Sequence, residues 1–310
     1  MTASNSGMAP DACSLPVTKT QIVGWAGGPA RQIHRLTMSP EVERLRRTIN
    51  DYSRGRVERS DGWWVEAAEP AKRIVQEHNV RRGRGLVVDR LVRSLAQGSW
   101  VLDWAGGTGW TASMLLKQRQ DLQLVSLDIS DVLQEWGQAN YRLPIVYVSG
   151  DATDRAIFDA GTFDAIVGTE CVEHFPNLDQ AIATAHHWLR PGGQLVVTTP
   201  NPHHWAPEPP ALLMALARKS KPAPEHEGDE IYDEAIRAAV LAESMRQAGF
   251  TTVRTEFTQF GGEWPLQALC KTLGYGAASA AAHLAEAAEA ISPDFAARKL
   301  GFTQIVWARR

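Results

Sequence analysis

The sequence predicts an α/β fold, a mostly parallel sheet covered by helices on both faces. Three observations point to it. Short apolar runs without polar alternation recur through the middle of the chain: WVLDWA (100–105), QLVSLDI (123–129), IVYVSG (145–150), FDAIVGT (163–169) and QLVVTTP (194–200). Continuously apolar strands are those buried on both faces. Helical patterns separate them, which makes the strands parallel neighbours. The first run ends in VLDWAGGTGW, an acid followed by glycines at 106, 107 and 109. Glycine weakens regular structure, so its density there implies a backbone that something must approach closely.

The elements follow in order. Residues 1 to 40 are polar and punctuated (GWAGGPA), and read as mostly irregular chain, a cover over the site. Ser39-Pro40 starts a helix, serine capping and proline filling the first turn, with EVERLRRTI supplying an apolar face. Further helices are predicted over 69–78 and over 84–97, the latter stopped by Gly98. Between the strands lie TASMLLKQR (111–119), VLQEWGQAN and a helix through 179–189. Beyond Pro200 the chain reads as a loop (NPHHWAPEPP), a short amphipathic helix (ALLMALARK), a proline-rich acidic loop (KPAPEHEGDE) and the helix DEAIRAAVLAESMRQAG. Two alternating strands follow at 250–260 and 302–310. The helical stretch between them, including ASAAAHLAEAAEAI, is too long for an idle connection and reads as a lid. The expected division is an extension with cap helices over 1–84, a ligand-binding core over 85–200, and completion of the sheet over 201–310 with lids at 201–249 and 261–300.

Bulk properties exclude some functions. Of 310 residues 44% are hydrophobic and 22% charged, with net charge −3, which gives no electrostatic footprint for nucleic acid. The cysteines (Cys13, Cys171, Cys270) are odd in number and far apart, so neither a disulfide framework nor a thiolate metal site is indicated, and a cytoplasmic setting fits. No run is long enough for a membrane span, and MTASNSGMAP lacks the regions of a signal peptide. The PLQALCKTLG segment has a helix face that can rest on a membrane surface, against which ordinary lid packing competes. The eleven tryptophans are scattered, as core and lid packing would place them; a few lining an apolar substrate pocket is the other reading.

The candidate chemistry lies at strand ends. In a parallel sheet the ligand crevice is beyond the carboxyl ends of the strands. Asp103, Gly106, Gly107 and Gly109 sit at the first, Asp128 with Ile129 at the second, and Asp151 with Ala152 at the third. A carboxylate at the second end can accept from both hydroxyls of a ribose, and one at the third can reach an adenine amino group. Each acid alone suits a helix cap. Together with the glycines they outline one adenosine-shaped site. Downstream, ECVEHF puts Glu170, Glu173 and His174 at i, i+3 and i+4, one face if helical, a set able to hold Mg²⁺ or another divalent ion. The same acids suit a helix N-terminus. His174, Glu173 and His203 are the candidate proton acceptors, with His204 beside them.

The pieces VLDWAGGTG, LVSLDIS, GDATD, FDAIVGTECVEHFPN and HWLRPGGQLVVTTPN resemble the class I S-adenosylmethionine-dependent methyltransferases. The pairs Trp63-Trp64 and His78-Asn79, with Arg82 and Glu170-x-x-Glu173-His174, resemble the ubiquinone-biosynthesis O-methyltransferases of the UbiG type. That resemblance implies a Rossmann-like sheet of seven strands with an antiparallel last strand. It implies S-adenosylmethionine as cofactor and a small-molecule hydroxyl as methyl acceptor, with C- or N-methylation, or 2′-O-methylation of small RNA by a metal-dependent relative, as variants. It implies that Arg82 meets the cofactor carboxylate, Asp103 and Gly106 its amino-acid end, Asp128 its ribose, Asp151 with Ala152 its adenine, and the Thr169 backbone its amino group. His226 would complete a metal site. Trp104 stands where the family has a smaller residue, and residues 1–60 and 261–300 depart from the family pattern. A nicotinamide-dependent oxidoreductase is the rival on the same fold; Asp103 before the glycines and the LRPGGQL turn argue against it.

Overall fold

The computed structural model describes residues 16–26, 32–59, 70–203, 235–260 and 263–310. Its centre is an eight-stranded sheet: β1 (Ile33–Arg35), β2 (Trp100–Trp104), β3 (Gln123–Asp128), β4 (Ile145–Ser149), β5 (Phe163–Thr169), β6 (Leu189–Pro200), β7 (Thr252–Phe260) and β8 (Gly301–Arg309). The order across the sheet is β1-β4-β3-β2-β5-β6-β8-β7. All neighbours are parallel except β8, which runs antiparallel to both β6 and β7. The topological switch falls at β2, where the chain steps to β3 and β4 on one side and later to β5 and β6 on the other. Ligand crevices form at such a point.

The helices are α1 (Lys19–Ala26), α2 (Pro40–Arg59), α3 (Pro70–Arg82), α4 (Arg84–Ser94), α5 (Trp110–Gln118), α6 (Asp131–Tyr141), α7 (Leu178–Trp188), α8 (Ala238–Gln247), α9 (Glu263–Leu273), α10 (Tyr275–Ile291) and α11 (Asp294–Leu300). On one face of the sheet Leu102, Trp104, Ile166 and Val197 pack with Ile22 of α1, Ile182 of α7 and Leu241 of α8. On the other Val101, Val167 and Val196 pack with Val87 and Leu91 of α4 and Leu115 of α5. Burying each such side chain contributes roughly 1.5–3 kcal/mol, which is why the uninterrupted apolar runs become central strands. A smaller cluster joins α3, α9 and α10 through Ile74, Leu266, Cys270, Ala278 and Ala282. PLQALCKTLG thus turns Leu266 and Cys270 inward against α3 and α10, leaving Leu273 exposed.

Some boundaries differ from those the sequence predicts. Residues 16–26 and 32–40 hold more regular structure than punctuation suggested: α1 covers the first face, and β1 adds an eighth strand beside β4. The helix capped by Ser39, whose Oγ accepts from the Val42 N–H at 3.2 Å, runs on to Arg59. The helix before β2 stops at Ser94, short of Gly98. Residues 170–174 are not an α-helix; only Val172–His174 form a single 3₁₀ turn. The helices read in ALLMALARK and the loops around it lie outside the described residues, as do Trp63 and Trp64. Among the described residues no helix is long and apolar enough to cross a membrane.

Candidate active site

The glycine turn follows β2 directly. Its backbone takes left-handed angles at Ala105 (φ 48°), Gly107 (φ 55°) and Gly109 (φ 76°), which then starts α5. At Gly106 the need is space: a Cβ there would lie 2.6 Å from both Asp103 Cγ and Ser126 Oγ. The Gly106 N–H donates to Leu127 O at 3.0 Å, and the Gly107 N–H to Asp128 Oδ2 at 2.7 Å. The turn is therefore folded down onto the end of β3, and the acid predicted for the ribose is part of its support. The Ser130 N–H donates to the other Asp128 oxygen at 2.7 Å. Each oxygen keeps a second lone pair for a ligand hydroxyl.

Asp103 is fully buried and accepts from the Ala112 N–H at 3.0 Å, with its Oδ1 lacking any partner among the described residues. Burial pushes its carboxyl up to about 7, the helix N–H and the charge of Arg84 acting against that rise. Burial also raises Asp128. Ile129 lies between Asp128 and Ser130, and Asn50 of α2 reaches this loop, 2.9 Å from Ser130 Oγ. On the next strand end Asp151 Oδ1 accepts from the Thr153 N–H and hydroxyl, each at 2.8 Å. Asp151 lines a cavity of about 300 Å³ whose other walls include Leu36, Thr37 and Met38. The Ala152 carbonyl accepts from Trp104 Nε1 at 2.7 Å. Trp104 does not narrow the crevice from above: it is fully buried, tilted against Phe175 with centroids 4.9 Å apart. Its indole ties the glycine strand to the Asp151 loop from beneath. On the other side of β2, Thr169 Oγ1 lies 3.1 Å from Thr111 Oγ1 of α5.

The remaining candidates divide. Arg82 is turned away from the turn, its guanidinium held by Glu289 of the lid helix α10. The cation inside is Arg84, whose charge lowers the carboxyls of Asp103, Glu170 and Glu173 against their burial. Arg84 shares the inward stripe of α4 with Val87, Val88 and Leu91, at i+3, i+4 and i+7, and that spacing is the signal by which the sequence could have singled it out. Glu173 is 5% exposed, its Oε2 has no partner among the described residues, and burial with the neighbouring Glu170 pushes it up to about 8. His174 is exposed, and its charge acts on both Asp128 and Glu170. His203 is exposed just past β6, its N–H on Asn201 Oδ1 at 3.1 Å.

The helical face proposed for a metal is absent. Glu170 precedes the 3₁₀ turn with φ 53°, and its Oε1 accepts from the Thr198 hydroxyl at 2.7 Å. Among the described residues no group of three His, Cys, Asp or Glu side chains is arranged to hold a metal ion. His204 and His226 lie outside the described residues.

The residues present fit the cofactor that the resemblance implies. At Gly107 a Cβ would meet only Leu133 Cδ1, at 3.5 Å, Asp128 retains acceptor capacity, and Asp103 Oδ1, without a partner among the described residues, lies under the bend. Among the described residues the carboxyls of Asp103, Asp128, Glu170 and Glu173 outnumber Arg84 and His174, which suits a ligand bearing a sulfonium and an ammonium group.

Comparison with known proteins agrees in kind. The methyltransferase domain family matches residues 76–255. The O-methyltransferase cnsE of Penicillium expansum is 28% identical over 204 residues, covering 62% of this chain and 64% of that protein. The ubiquinone biosynthesis O-methyltransferase of Xylella fastidiosa is 26% identical over 198 residues, covering 61% of this chain and 74% of that protein. Among solved structures, phosphoethanolamine N-methyltransferase 2 of Haemonchus contortus, in complex with S-adenosyl-L-methionine, aligns at a TM-score of 0.45 and 15% identity, over 73% of this chain and 52% of that one. The chain thus spans under two thirds of the length of the fungal relative. With the family matched across more than half of its residues, on the segment that carries the glycine turn and the strand-end acids, this chain belongs to the methyltransferase domain family.

Proposed function

We propose that this chain transfers the methyl group of S-adenosylmethionine to a hydroxyl oxygen of a small molecule. The observation that carries the reading is Asp128: a buried carboxylate, gripped by the N–H groups of Gly107 and Ser130, with acceptor capacity left over at the end of the glycine turn. The O-methyltransferases among the similar proteins favour oxygen as the acceptor atom.

When bound, the cofactor supplies a methyl already activated as a sulfonium. What the chain must add is orientation and a path for the acceptor's proton. Asp128 holds the ribose, and Asp151 and the Ala152 backbone the adenine. His174 is the base: its imidazole is exposed, and its charge is felt by Asp128 on one side and Glu170 on the other. Metal assistance through Glu170, Glu173 and His174 is not part of this reading, because the 3₁₀ turn does not set them on one face.

Calorimetry with S-adenosylhomocysteine tests the reading. Micromolar binding is expected, and Asp128→Ala weakens it at least tenfold; no heat with the parent protein sinks the proposal. His174→Gln should lower kcat roughly 100-fold or more with the same cofactor affinity, as loss of a general base does.

A further inference from the structure

A second cavity, of about 230 Å³, opens over the edge of the sheet where β5, β6 and β7 end. Asn79 of α3, Arg84 of α4, Glu170 after β5, and Gln259 and Thr303 at the paired ends of β7 and β8 line it. Glu170 directly follows Thr169, whose hydroxyl meets Thr111 at the start of α5, so the Glu170 end lies nearest the turn.

Gln259 is unusual twice over. It is 3% exposed, and its backbone sits at φ 62° in a strand whose pairing is regular at Thr258 and Phe260 on either side. A bulky residue in the left-handed region persists only where its surroundings over-determine it, and such residues cluster at functional sites. Its Oε1 accepts from the Thr303 hydroxyl, which fixes the amide so that Nε2 points the other way. That nitrogen has no hydrogen bond to any described residue and opens on the cavity. A Cβ at Gly83 would lie 2.9 Å from it, so the glycine keeps the gap clear. Asn79 is arranged alike: its Oδ1 accepts from the Arg84 N–H at 3.1 Å, and its amide nitrogen has no described partner. One end of the cavity therefore presents two amide donors beside a guanidinium. The other presents a carboxylate, with Glu170 Oε1 taken by Thr198 and Oε2 open.

We propose that this cavity holds the methyl acceptor and that the acceptor is a small hydroxylated carboxylic acid, its carboxylate on the Asn79 and Gln259 amides beside Arg84 and its hydroxyl on Glu170. The proposal rests on the methyl-transfer reading above. The amide nitrogens at the first end have no acceptor among the described residues, and a site built to hydrogen-bond an acceptor discriminates against a ligand that lacks one. In the transfer, the acceptor oxygen forms the new C–O bond as the C–S bond breaks. The electron pair of that bond stays on sulfur, leaving a neutral thioether, and the hydroxyl proton passes to His174 and on to water.

The test uses the full chain saturated with S-adenosylhomocysteine, titrated calorimetrically with the three hydroxybenzoates and with phenol, which lacks only the carboxylate. At least one hydroxybenzoate is expected to bind tenfold or more tightly than phenol. Gln259→Glu, equal in size and opposite in sign to what a carboxylate needs, should weaken that binding at least tenfold while phenol and S-adenosylhomocysteine bind as before. Gln259→Met, which removes the donor without adding charge, gives the same direction should the first variant misfold. If phenol binds as well as every hydroxybenzoate, if none of them binds, or if both variants keep the preference, the proposal is overturned. Absence of S-adenosylhomocysteine binding to the parent is a different result and removes the methyl-transfer reading instead.

Discussion

Asp103 carries a pH signature that follows from its burial. Its carboxyl is raised to about 7 in the folded chain, against roughly 3.9 when unfolded. The folded state thus holds a proton that the unfolded state has released between those values, and stability is lost as pH rises through 7. Asp103→Asn keeps an acceptor for the Ala112 N–H and removes the ionisation. Relative to the parent it should gain on the order of 2 kcal/mol at pH 8.5 and little at pH 4, read by thermal melts at the two pH values. A cationic ligand beside Asp103 acts the other way, favouring the carboxylate. Binding of S-adenosylmethionine at pH 7 should therefore release protons, seen as a binding enthalpy that depends on the ionisation heat of the buffer. Trp104 carries a third prediction: Trp104→Phe leaves the Ala152 carbonyl without its donor and should cost about 1–3 kcal/mol in urea unfolding. At this scale the sequence was legible where chemistry and position coincide. The strand-end acids and glycines are next to one another in space because adjacent parallel strands bring them there. It was not legible in the run RRGRG, where two arginines one residue apart from a glycine differ only in which helix they belong to. Nor could it show that Glu170 turns left-handed, since nothing in its side chain asks for that.

Elements with a strong period were readable to within a few residues: β5 falls where FDAIVGT predicts it, and α5, α6 and α7 are displaced by one or two positions. The failures have physical causes. β1 is three residues long, too short to show alternation, and is held by pairing with β4 that only the folded chain supplies. The spacing at 170–174 suits a helix, but Glu170 is tied to Thr198 through its N–H and its carboxylate, which stops an α-turn from forming there. The helical insertion before β8 was legible by its length, and its attachment was not. Glu289 of α10, 6% exposed on its side chain, binds the Arg82 guanidinium and the Thr258 hydroxyl. Glu286 likewise binds His78 and Arg81. Glu289→Ala should loosen this attachment. A cost of about 2 kcal/mol is expected, below that of a fully buried pair because Arg82 keeps some access to water. Hydrogen exchange should quicken over 275–291 and stay unchanged in β2 and β3.

Across the whole molecule, the sheet is where the two proposed ligands meet. The residues proposed for the cofactor lie on the β2-β3-β4 half and the cavity proposed for the acceptor on the β5-β6-β8-β7 half, with β2 and Glu170 between. The extension before the sheet belongs to the first half: α2 reaches Ser130 through Asn50 and Asp131 through Arg46. Asn50→Ala should weaken S-adenosylhomocysteine binding a few-fold through the Asp128 loop, without touching acceptor preference.

The position of β8 has a consequence for biogenesis. This strand slots between β6 and β7, though both precede it in the chain. Until residues 301–309 leave the ribosome, β7 has no neighbour to bond with and β6 shows a raw, apolar margin. At roughly 5–20 residues per second, the nascent polypeptide waits in that half-zipped state for seconds. Translation halted after Leu300 should therefore yield insoluble material or chaperone-bound chains, while release of the last strand lets the sheet close in a single late event.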